Sequence, residues 1–434
     1  MRDIFVFVVV LGSLPFIVRL PWVGVLVWSW LGYMNPHRLA WGFVRDMPVA
    51  QMVAIATLIG LVAWRESKKV PWTRETITLT VLILWMLVTT LDAFYPELAW
   101  IQYQKVLKIQ LMTFVTLMLM KEPVRLRLLV WVIALSLGFY GVKGGIFTIT
   151  TGGSYHVRGP DGTFIGGNNE IGLALIMTLP LMRFLQLTVA RAWLRHGFSA
   201  AMFFTFVAIL GTQSRGALVG VAAMAFMLTW KSRRRFGLLL VWALLVPVGL
   251  AVMPESWYER MHTIQTYEED RSFQGRLRAW ANAITIAGQE PLTGGGFEAL
   301  RGGTDAHSIY FEVLGEHGYV GLALFLTLGA MTWRSAGRVR REATRRADLK
   351  WMADLAAMTQ VSLIGYAASG AFLGLAYFDL GYHLVAIVVI LRYLLARELV
   401  ASPLPAREHT GPAVSAGPPV VPRQLEVRGG GYAP

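Results

Sequence analysis

The sequence predicts an all-α integral membrane protein, and three observations lead to this fold class. Of the 434 residues, 55% are hydrophobic and only 15% are charged, whereas soluble domains carry about 25% charged residues. Apolar runs near the ~20 residues that a membrane-spanning helix needs recur as far as residue 397. The loops between these runs alternate between rich and poor in Lys and Arg, which is typical of a chain threaded through a bilayer.

The apolar runs give the approximate positions of the spans. They lie, with loose boundaries, at 48–64, 76–92, 103–120, 128–149, 170–190, 199–213, 216–230, 236–253, 307–332, 353–373 and 381–397. The first 34 residues hold two shorter runs, 4–18 and 22–34, which Arg19 and Pro21 separate. One spanning helix with a re-entrant piece here gives twelve crossings, and two full spans give thirteen. We expect about twelve transmembrane helices.

The basic loops predict the orientation, because short loops rich in Lys and Arg stay in the cytoplasm. These residues gather at 65–74, 121–127, 191–195, 231–235 and 334–350. The assignments alternate without conflict from residue 48 onward. The C-terminus is therefore predicted to be cytoplasmic, and the long loop 254–306 to lie on the opposite face. The net charge of +14 is an orientation signal rather than a nucleic-acid-binding surface, because spans separate the basic clusters.

The composition also excludes several chemistries. The chain has no cysteine, which rules out thiolate catalysis, Cys-ligated zinc, iron–sulfur clusters and disulfides. It lacks a Gly-x-x-x-x-Gly-Lys-Ser/Thr phosphate loop, and its eight histidines are scattered without a metal-ligand pattern. We therefore expect no cofactor, no metal site and no ATP hydrolysis. Residues 1–400 are predicted to form one polytopic domain, and the Pro-, Gly- and Val-rich segment 401–434 a disordered cytoplasmic tail.

His307 is the candidate catalytic residue. It follows the long loop and stands where an apolar run begins, which is the depth at which membrane meets water. Ionisable groups at spans are energetically costly and usually functional, and an imidazole can take a proton from a hydroxyl near neutral pH. The structural alternative is a histidine that caps the helix or anchors it at the interface.

Arginines supply the candidate anion site. Arg215 lies in a tight turn between two short spans on the far face, and its guanidinium fork matches the oxygens of a phosphate or diphosphate; a snorkelling interface arginine is the alternative. Arg276 and Arg278 lie in a predicted amphipathic helix over about 275–288 with an apolar stripe of Leu277, Trp280, Ala281 and Ile284. Because Arg276 and Arg278 are two positions apart, they do not share a helix face, and Arg278 is the weaker candidate.

A second far-face loop, 159–170, is rich in glycine and runs directly into a span. Asn168 or Asn169 can cap the following helix, and Glu170 suits the positive end of the helix dipole. Asn169 is also a candidate for lining the site, with pure capping as the alternative.

Several motifs together resemble the O-antigen ligase and polymerase superfamily of bacterial envelopes. They are Ser214-Arg215-Gly216-Ala217, Gly275-Arg276 with Trp280, Pro291-Leu292-Thr293-Gly294-Gly295-Gly296, His307-Ser308 and Glu316-His317-Gly318 with Gly321. Each motif alone is weak, but their order and their spacing around one long loop are specific. Gly32-Tyr33-Met34-Asn35-Pro36-His37-Arg38 and the 164–170 segment resemble the exosortase-associated branch of O-glycosylation ligases.

The resemblance implies a GT-C-like glycosyltransferase of the bacterial inner membrane, with about twelve spans and one long periplasmic loop, 254–306. The implied donor is a glycan on undecaprenyl diphosphate, and the implied acceptor is a sugar hydroxyl of lipid A–core. Carried over by position, His307 is similar to the family's general base, and Arg215 and Arg276 to the arginines that hold the diphosphate. Asn169 and Arg278 are carried over less securely.

Three alternative functions stay open at this stage. An O-antigen polymerase uses the same donor with a second lipid-linked glycan as acceptor, and a protein O-oligosaccharyltransferase transfers the glycan to Ser or Thr. A lipid-linked glycan transporter is a different class, and it would carry polar groups midway through several spans. Here the ionisable groups gather at one end of the spans, which favours an enzyme at one face of the membrane.

Overall fold

The computed structural model describes residues 1–231, 235–251, 255, 258, 271–302 and 306–401. In these residues the α- and 3-10 helices form the regular structure and no strand occurs, which confirms the all-α prediction. The α-helices are α1 Arg2–Arg19, α2 Pro21–Met34, α3 Val49–Ala63, α4 Arg74–Leu91, α5 Pro96–Leu119, α6 Pro123–Thr150, α7 Asn168–Thr188, α8 Ala192–Gly211, α9 Arg215–Lys231, α10 Arg235–Ala251, α11 Arg271–Gln289, α12 Ile309–Ala343, α13 Lys350–Gly370 and α14 Asp379–Ala401.

Two sequence predictions lie partly outside the described residues. The predicted tail lies outside them from residue 402 onward, and the long loop lies outside them at residues 254, 256–257, 259–270 and 303–305. Residues 271–302 of that loop are described, and they contain α11.

Five described helices are long and apolar enough to cross a membrane by length and composition: α4, α6, α7, α8 and α12. Shorter apolar helices accompany them at Val49–Ala63 and Arg215–Trp230. Each predicted span coincides with a helix, but a total of twelve crossings goes beyond these observations and stays a prediction.

The N-terminal residues form two short helices rather than one long span. α1 has 18 residues and α2 has 14, or roughly 27 and 21 Å at about 1.5 Å per residue. Pro21 begins α2 and cannot donate the backbone hydrogen bond that would continue α1. The two helices pack on α3 around a small core of their own that includes Val6, Leu31 and Val53.

Loops predicted to lie on one side of the membrane contact one another. On the basic side, the Lys121 ammonium donates to two carbonyls of the 64–73 loop at 2.8 and 2.9 Å. Arg125 pairs with both carboxylate oxygens of Glu66 at 2.7 Å, and this hydrogen bonding lowers the pKa of Glu66. At the opposite end, Phe94 N–H donates to the loop that precedes α12. Each of these contacts joins loops that the alternating pattern predicts to lie on the same side.

α12 is interrupted in its first third, and a glycine-rich loop supplies hydrogen bonds to the backbone at the interruption. Gly318 has φ 67° and ψ −170°, so the helical hydrogen bonds around it are lost. The N–H groups of Gly295 and Gly296 donate to the carbonyls of Gly315 and Glu316, both at 2.9 Å. Broken helices at membrane depth need such replacement partners. The first part of α12 is therefore locked against the 291–297 loop.

Only glycine fits at two positions of this contact. A Cβ on Gly318 would collide with the carbonyl oxygen of Leu292, and a Cβ on Gly294 would lie 2.6 Å from the carbonyl oxygen of Gly315. Both glycines have positive φ, which side chains disfavour. α12 also continues to Ala343, well into the segment from residue 334 that was predicted to be a loop.

Candidate active site

The turn before α9 places Arg215 at the first position of that helix. Gln213 adopts φ 52°, and the Ser214 hydroxyl accepts a hydrogen bond from Ala217 N–H at 3.2 Å. This is the N-cap arrangement that starts a helix. The Arg215 side chain is half-buried, and the N-terminal end of a helix favours an anion. The structure thus confirms a tight turn with the arginine at its end.

The N-terminal end of α7 lies beside this turn. The Asn168 side chain donates to the Thr212 carbonyl at 2.9 Å. The N-cap residue of α7 is Gly167, and no side chain caps the helix, so the expectation of an asparagine cap is wrong. Asn168 contacts the turn, while Asn169 is half-buried at the next position. A site-lining role for Asn169 stays a prediction.

His307 lies just before α12 in a left-handed backbone conformation, φ 47°. Histidine is one of the residue types enriched in this region, and such conformations gather at functional sites. The indole N–H of Trp280 donates to the carbonyl of Ala306 at 3.0 Å. The backbone directly before His307 is therefore fixed to α11. The imidazole itself is half-buried.

Arg276 and Arg278 lie on different faces of α11. Arg276 lies four residues before Trp280 and hence on the same face of the helix, and its side chain is half-buried. Arg278 is exposed, in agreement with the expectation that the two point in different directions.

The predicted apolar stripe of α11 is only partly buried: its Trp280 packs on Phe311. Leu277 is 40% and Ile284 50% exposed. The helix instead buries a face of small residues, including Ala279 and Ala283, with Ile286. Close approach of α11 to α12 selects the small ones: a Cβ on Gly315 would lie 3.3 Å from the Cβ of Ala283.

Two aromatic side chains connect the three candidate segments. The Trp280 ring stacks on Phe311, with centroids 5.0 Å apart and planes 18° apart. It also contacts Phe372, with centroids 6.4 Å apart. A Cβ on Gly216 would lie 3.1 Å from the Cβ of Phe372. The segments that carry Arg215, Arg276 and His307 therefore meet around Trp280 and Phe372.

A buried polar network stabilises α12 just beyond the site. The Tyr377 hydroxyl donates to the Glu316 carboxylate at 2.5 Å and lies 2.9 Å from His317 Nε2. The Thr89 hydroxyl lies 2.7 Å from His317 Nδ1. Because the Tyr377 proton goes to the carboxylate, the His317 Nε2–H donates to the Tyr377 oxygen. Burial raises the pKa of Tyr377 well above its usual range, and the charge of Glu316 adds to the rise.

The loop 371–378 is thus central to the site. It contributes Phe372 and Tyr377, and its Ala376 N–H donates to the Glu312 carboxylate at 3.0 Å. Sequence reasoning missed this loop. Its only signal is a set of three aromatic residues, Phe372, Tyr377 and Phe378, in a short connection between two apolar runs.

An apolar cavity of about 250 Å³ lies between α12, α13 and α14. Its wall includes Tyr310, Tyr366 and Tyr382, whose hydroxyls all donate to backbone carbonyls, at 2.9, 3.0 and 3.1 Å. The cavity therefore presents mainly carbon atoms. Tyr310 follows His307 by three residues, so the first turn of α12 connects the cavity wall to the candidate site.

Two family models match parts of the chain. Residues 200–326 match the family described as O-Antigen ligase. This part of the chain is therefore a domain of the O-antigen ligase family. Members of the family are enzymes of the membrane glycosyltransferase type, and the chain is a multi-pass membrane protein. No curated protein matches it.

The O-antigen ligase match contains the four candidate residues Arg215, Arg276, Arg278 and His307. Residues 1–190 match a different family, described as a family of unknown function, DUF5935. That range includes Asn168 and Asn169. Among the residues that the structure describes, no group of three or more His, Asp or Glu side chains could hold a metal ion.

Proposed function

We propose that this protein is an O-antigen ligase. It transfers a glycan en bloc from undecaprenyl diphosphate to a sugar hydroxyl of lipid A–core at the periplasmic face of the bacterial inner membrane. The observation that carries the proposal is the contact of Trp280 with both Ala306 and Phe372. These contacts join the segments that carry His307, Arg215 and Arg276, which are all residues of the ligase-family domain.

Each candidate group has a role in the proposed reaction. The acceptor oxygen forms a bond to the anomeric carbon, and the bond from that carbon to the diphosphate oxygen breaks. His307 takes the acceptor proton as general base. The electron pair leaves with undecaprenyl diphosphate, whose added negative charge Arg215 and Arg276 stabilise. In-line attack opposite the leaving group predicts inversion at the anomeric carbon.

The other two candidates have smaller roles in this proposal. Arg278 is exposed on α11, and it contributes to the electrostatic attraction of the anionic donor rather than to a fixed contact. Asn169 lines the site next to the turn that Asn168 contacts.

The cavity between α12, α13 and α14 suits the isoprenoid chain of the donor. Its walls are apolar, and Tyr310 in this wall follows His307 by three residues. A volume of about 250 Å³ accommodates part of a long hydrocarbon chain. The diphosphate linkage already supplies the free energy of transfer, so the proposed reaction consumes no ATP.

Reconstitution tests the proposed function directly. The purified full-length protein is incorporated into liposomes with an undecaprenyl-diphosphate-linked glycan and supplied with lipid A–core, a Ser/Thr acceptor protein or no acceptor. We expect glycan on lipid A–core only. Longer lipid-linked chains without added acceptor would instead indicate a polymerase, and glycosylated protein a protein O-oligosaccharyltransferase. A His307→Ala variant in the same liposomes controls for contaminating activity.

A further inference from the structure

The turn that carries Arg215 is attached to a segment from the N-terminal part of the chain. Val157 N–H donates to the Gly211 carbonyl at 2.9 Å, and the Asn168 side chain donates to the Thr212 carbonyl at 2.9 Å. Gly172 extends the contact, since a Cβ there would lie 3.3 Å from the Thr212 hydroxyl. The backbone carbonyls of the consecutive residues Gly211 and Thr212 thus both accept hydrogen bonds from one neighbouring segment.

Gln213 is the centre of this attachment. Its side-chain N–H donates to the Gly153 carbonyl at 2.9 Å, and its side-chain oxygen lies 2.8 Å from His156 Nε2. Because the amide nitrogen is used as the donor, the oxygen accepts and His156 Nε2 carries the proton. Gln213 is only 6% exposed. Gly153 and His156, which belong to the same segment, provide hydrogen-bond partners for the nitrogen and the oxygen of its buried amide.

The backbone of Gln213 needs this support. Its φ of 52° is a left-handed conformation that glycine and asparagine adopt readily and most other residues do not. Gln213 stands two residues before Arg215, so this conformation sets the direction in which the chain starts α9. The tertiary bonds of the side chain, rather than local preference, hold that direction.

We propose that residues 153–168, called here the clamp segment, position Arg215 for the donor diphosphate. The inference rests on the proposed function, since it assumes that Arg215 contacts that diphosphate. The clamp segment lies wholly within residues 1–190, which match a family of unknown function. This part of the chain completes the donor site of the adjoining ligase-family domain. The positioning residues are His156, Asn168 and Gln213.

Gln213→Gly isolates the role of the side chain. Glycine adopts positive φ without strain, so this variant removes both side-chain bonds while the turn can still form. We expect the affinity for undecaprenyl diphosphate to fall about tenfold, the scale of one or two lost hydrogen bonds. The probe is undecaprenyl diphosphate titrated into full-length protein in lipid nanodiscs, with size-exclusion profiles to verify folding.

His156 provides a rescue test with a matched control. His156→Ala removes the donor to Gln213, and we expect a loss of affinity of about threefold to tenfold. His156→Gln places an N–H near the former Nε2 position, and we expect it to restore most of the affinity. His196→Ala, at an exposed histidine of α8, should leave the affinity unchanged.

A double-mutant cycle with Arg215→Ala decides whether the clamp segment acts through Arg215. Arg215→Ala alone should weaken donor binding, and adding Gln213→Gly should weaken it no further. If the two losses add, or if Gln213→Gly binds normally, the clamp proposal is overturned while the anion role of Arg215 stands. If Arg215→Ala itself binds normally, the anion role in the proposed function fails, and the clamp proposal with it.

Discussion

Two helix starts frame the candidate site, and they are built in different ways. α9 begins after Gln213 and α12 begins after His307, and both of these residues have positive φ. At α9 the Ser214 hydroxyl caps the helix, whereas the corresponding Ser308 of α12 provides no side-chain cap. The chain thus enters both helices through a left-handed residue, but only one start has a local hydrogen-bond reason to form there.

The sources of support differ accordingly. Polar side chains from the N-terminal part of the chain hold the α9 start. The α12 start is held by aromatic packing, by the indole hydrogen bond of Trp280 and by hydrogen bonds of Tyr310 and Glu312 to neighbouring backbone groups. The buried Glu316 network stabilises the helix beyond it. An anion site tolerates polar neighbours that orient a guanidinium. A base needs its backbone fixed while its ring stays accessible. The following predictions test this division.

The largest expected effect is at His307. His307→Ala should lower the rate of transfer to lipid A–core about 10²–10⁴-fold, the usual contribution of a placed general base. Undecaprenyl-diphosphate affinity should stay within about threefold of the parent, because the base contacts the acceptor rather than the diphosphate. Single-turnover transfer and donor binding measure the two quantities. Near-normal transfer by this variant would show that the α12 start does not carry the base.

Arg276 and Arg278 provide a matched pair on one helix. Arg276→Ala should weaken donor binding about ten- to a hundredfold, the scale of lost charge-assisted hydrogen bonds. Arg278→Ala should weaken it by no more than about threefold at moderate salt, because exposed charges are screened. Titration of undecaprenyl diphosphate in nanodiscs compares the two. Equal losses would contradict the assignment of the Trp280 face of α11 to the donor.

Trp280→Phe tests the indole hydrogen bond alone. Phenylalanine retains a ring to pack on Phe311 but cannot donate to the Ala306 carbonyl. We expect a fall in kcat of about fivefold to tenfold, since a lost hydrogen bond is worth ~1 kcal/mol, with donor affinity little changed. Trp193→Phe, at a tryptophan 66% exposed, is the control. A fall in donor affinity without any fall in kcat would argue against positioning of His307 by Trp280.

The smallest effect on catalysis is expected at the buried network. Tyr377→Phe leaves the Glu316 carboxylate without one donor, and an unsatisfied buried polar group costs about 1–3 kcal/mol of stability. The variant should unfold at a lower temperature in detergent and keep transfer within about threefold. Tyr319→Phe, at a tyrosine 51% exposed, should unfold like the parent. Equal unfolding temperatures for Tyr377→Phe and the parent would contradict a stabilising role.

Local patterns in the sequence predicted much of the framework and the identity of the candidate groups. Runs of apolar residues located the helices because each bilayer crossing demands a similar length. Arg215 and His307 were found because charged or titratable groups beside apolar runs are rare. The same reasoning noted Leu277 in the apolar stripe of α11 but did not single out Ala279 and Ala283, which the structure buries.

Pairings between distant residues were not accessible in this way. Tyr377 meets Glu316 across 61 positions of the chain, and His156 meets Gln213 across 57. Neither pair has a spacing that predicts contact, because periodicity reports only on neighbours along one helix. The caps gave a similar result: Asn168 was read as a local cap, and it bonds instead to Thr212 in another turn.

The sequence by itself determined the helices of membrane length, the alternation of basic and non-basic loops, and the candidate residues of the site. These candidates are His307 and the arginines Arg215, Arg276 and Arg278. Tertiary structure alone decided which of these groups meet. Trp280 and Phe372 bring three remote segments together, and the clamp segment fixes the turn before Arg215. The physical reason is that hydropathy constrains each segment singly, whereas a site depends on packing and hydrogen bonds between segments.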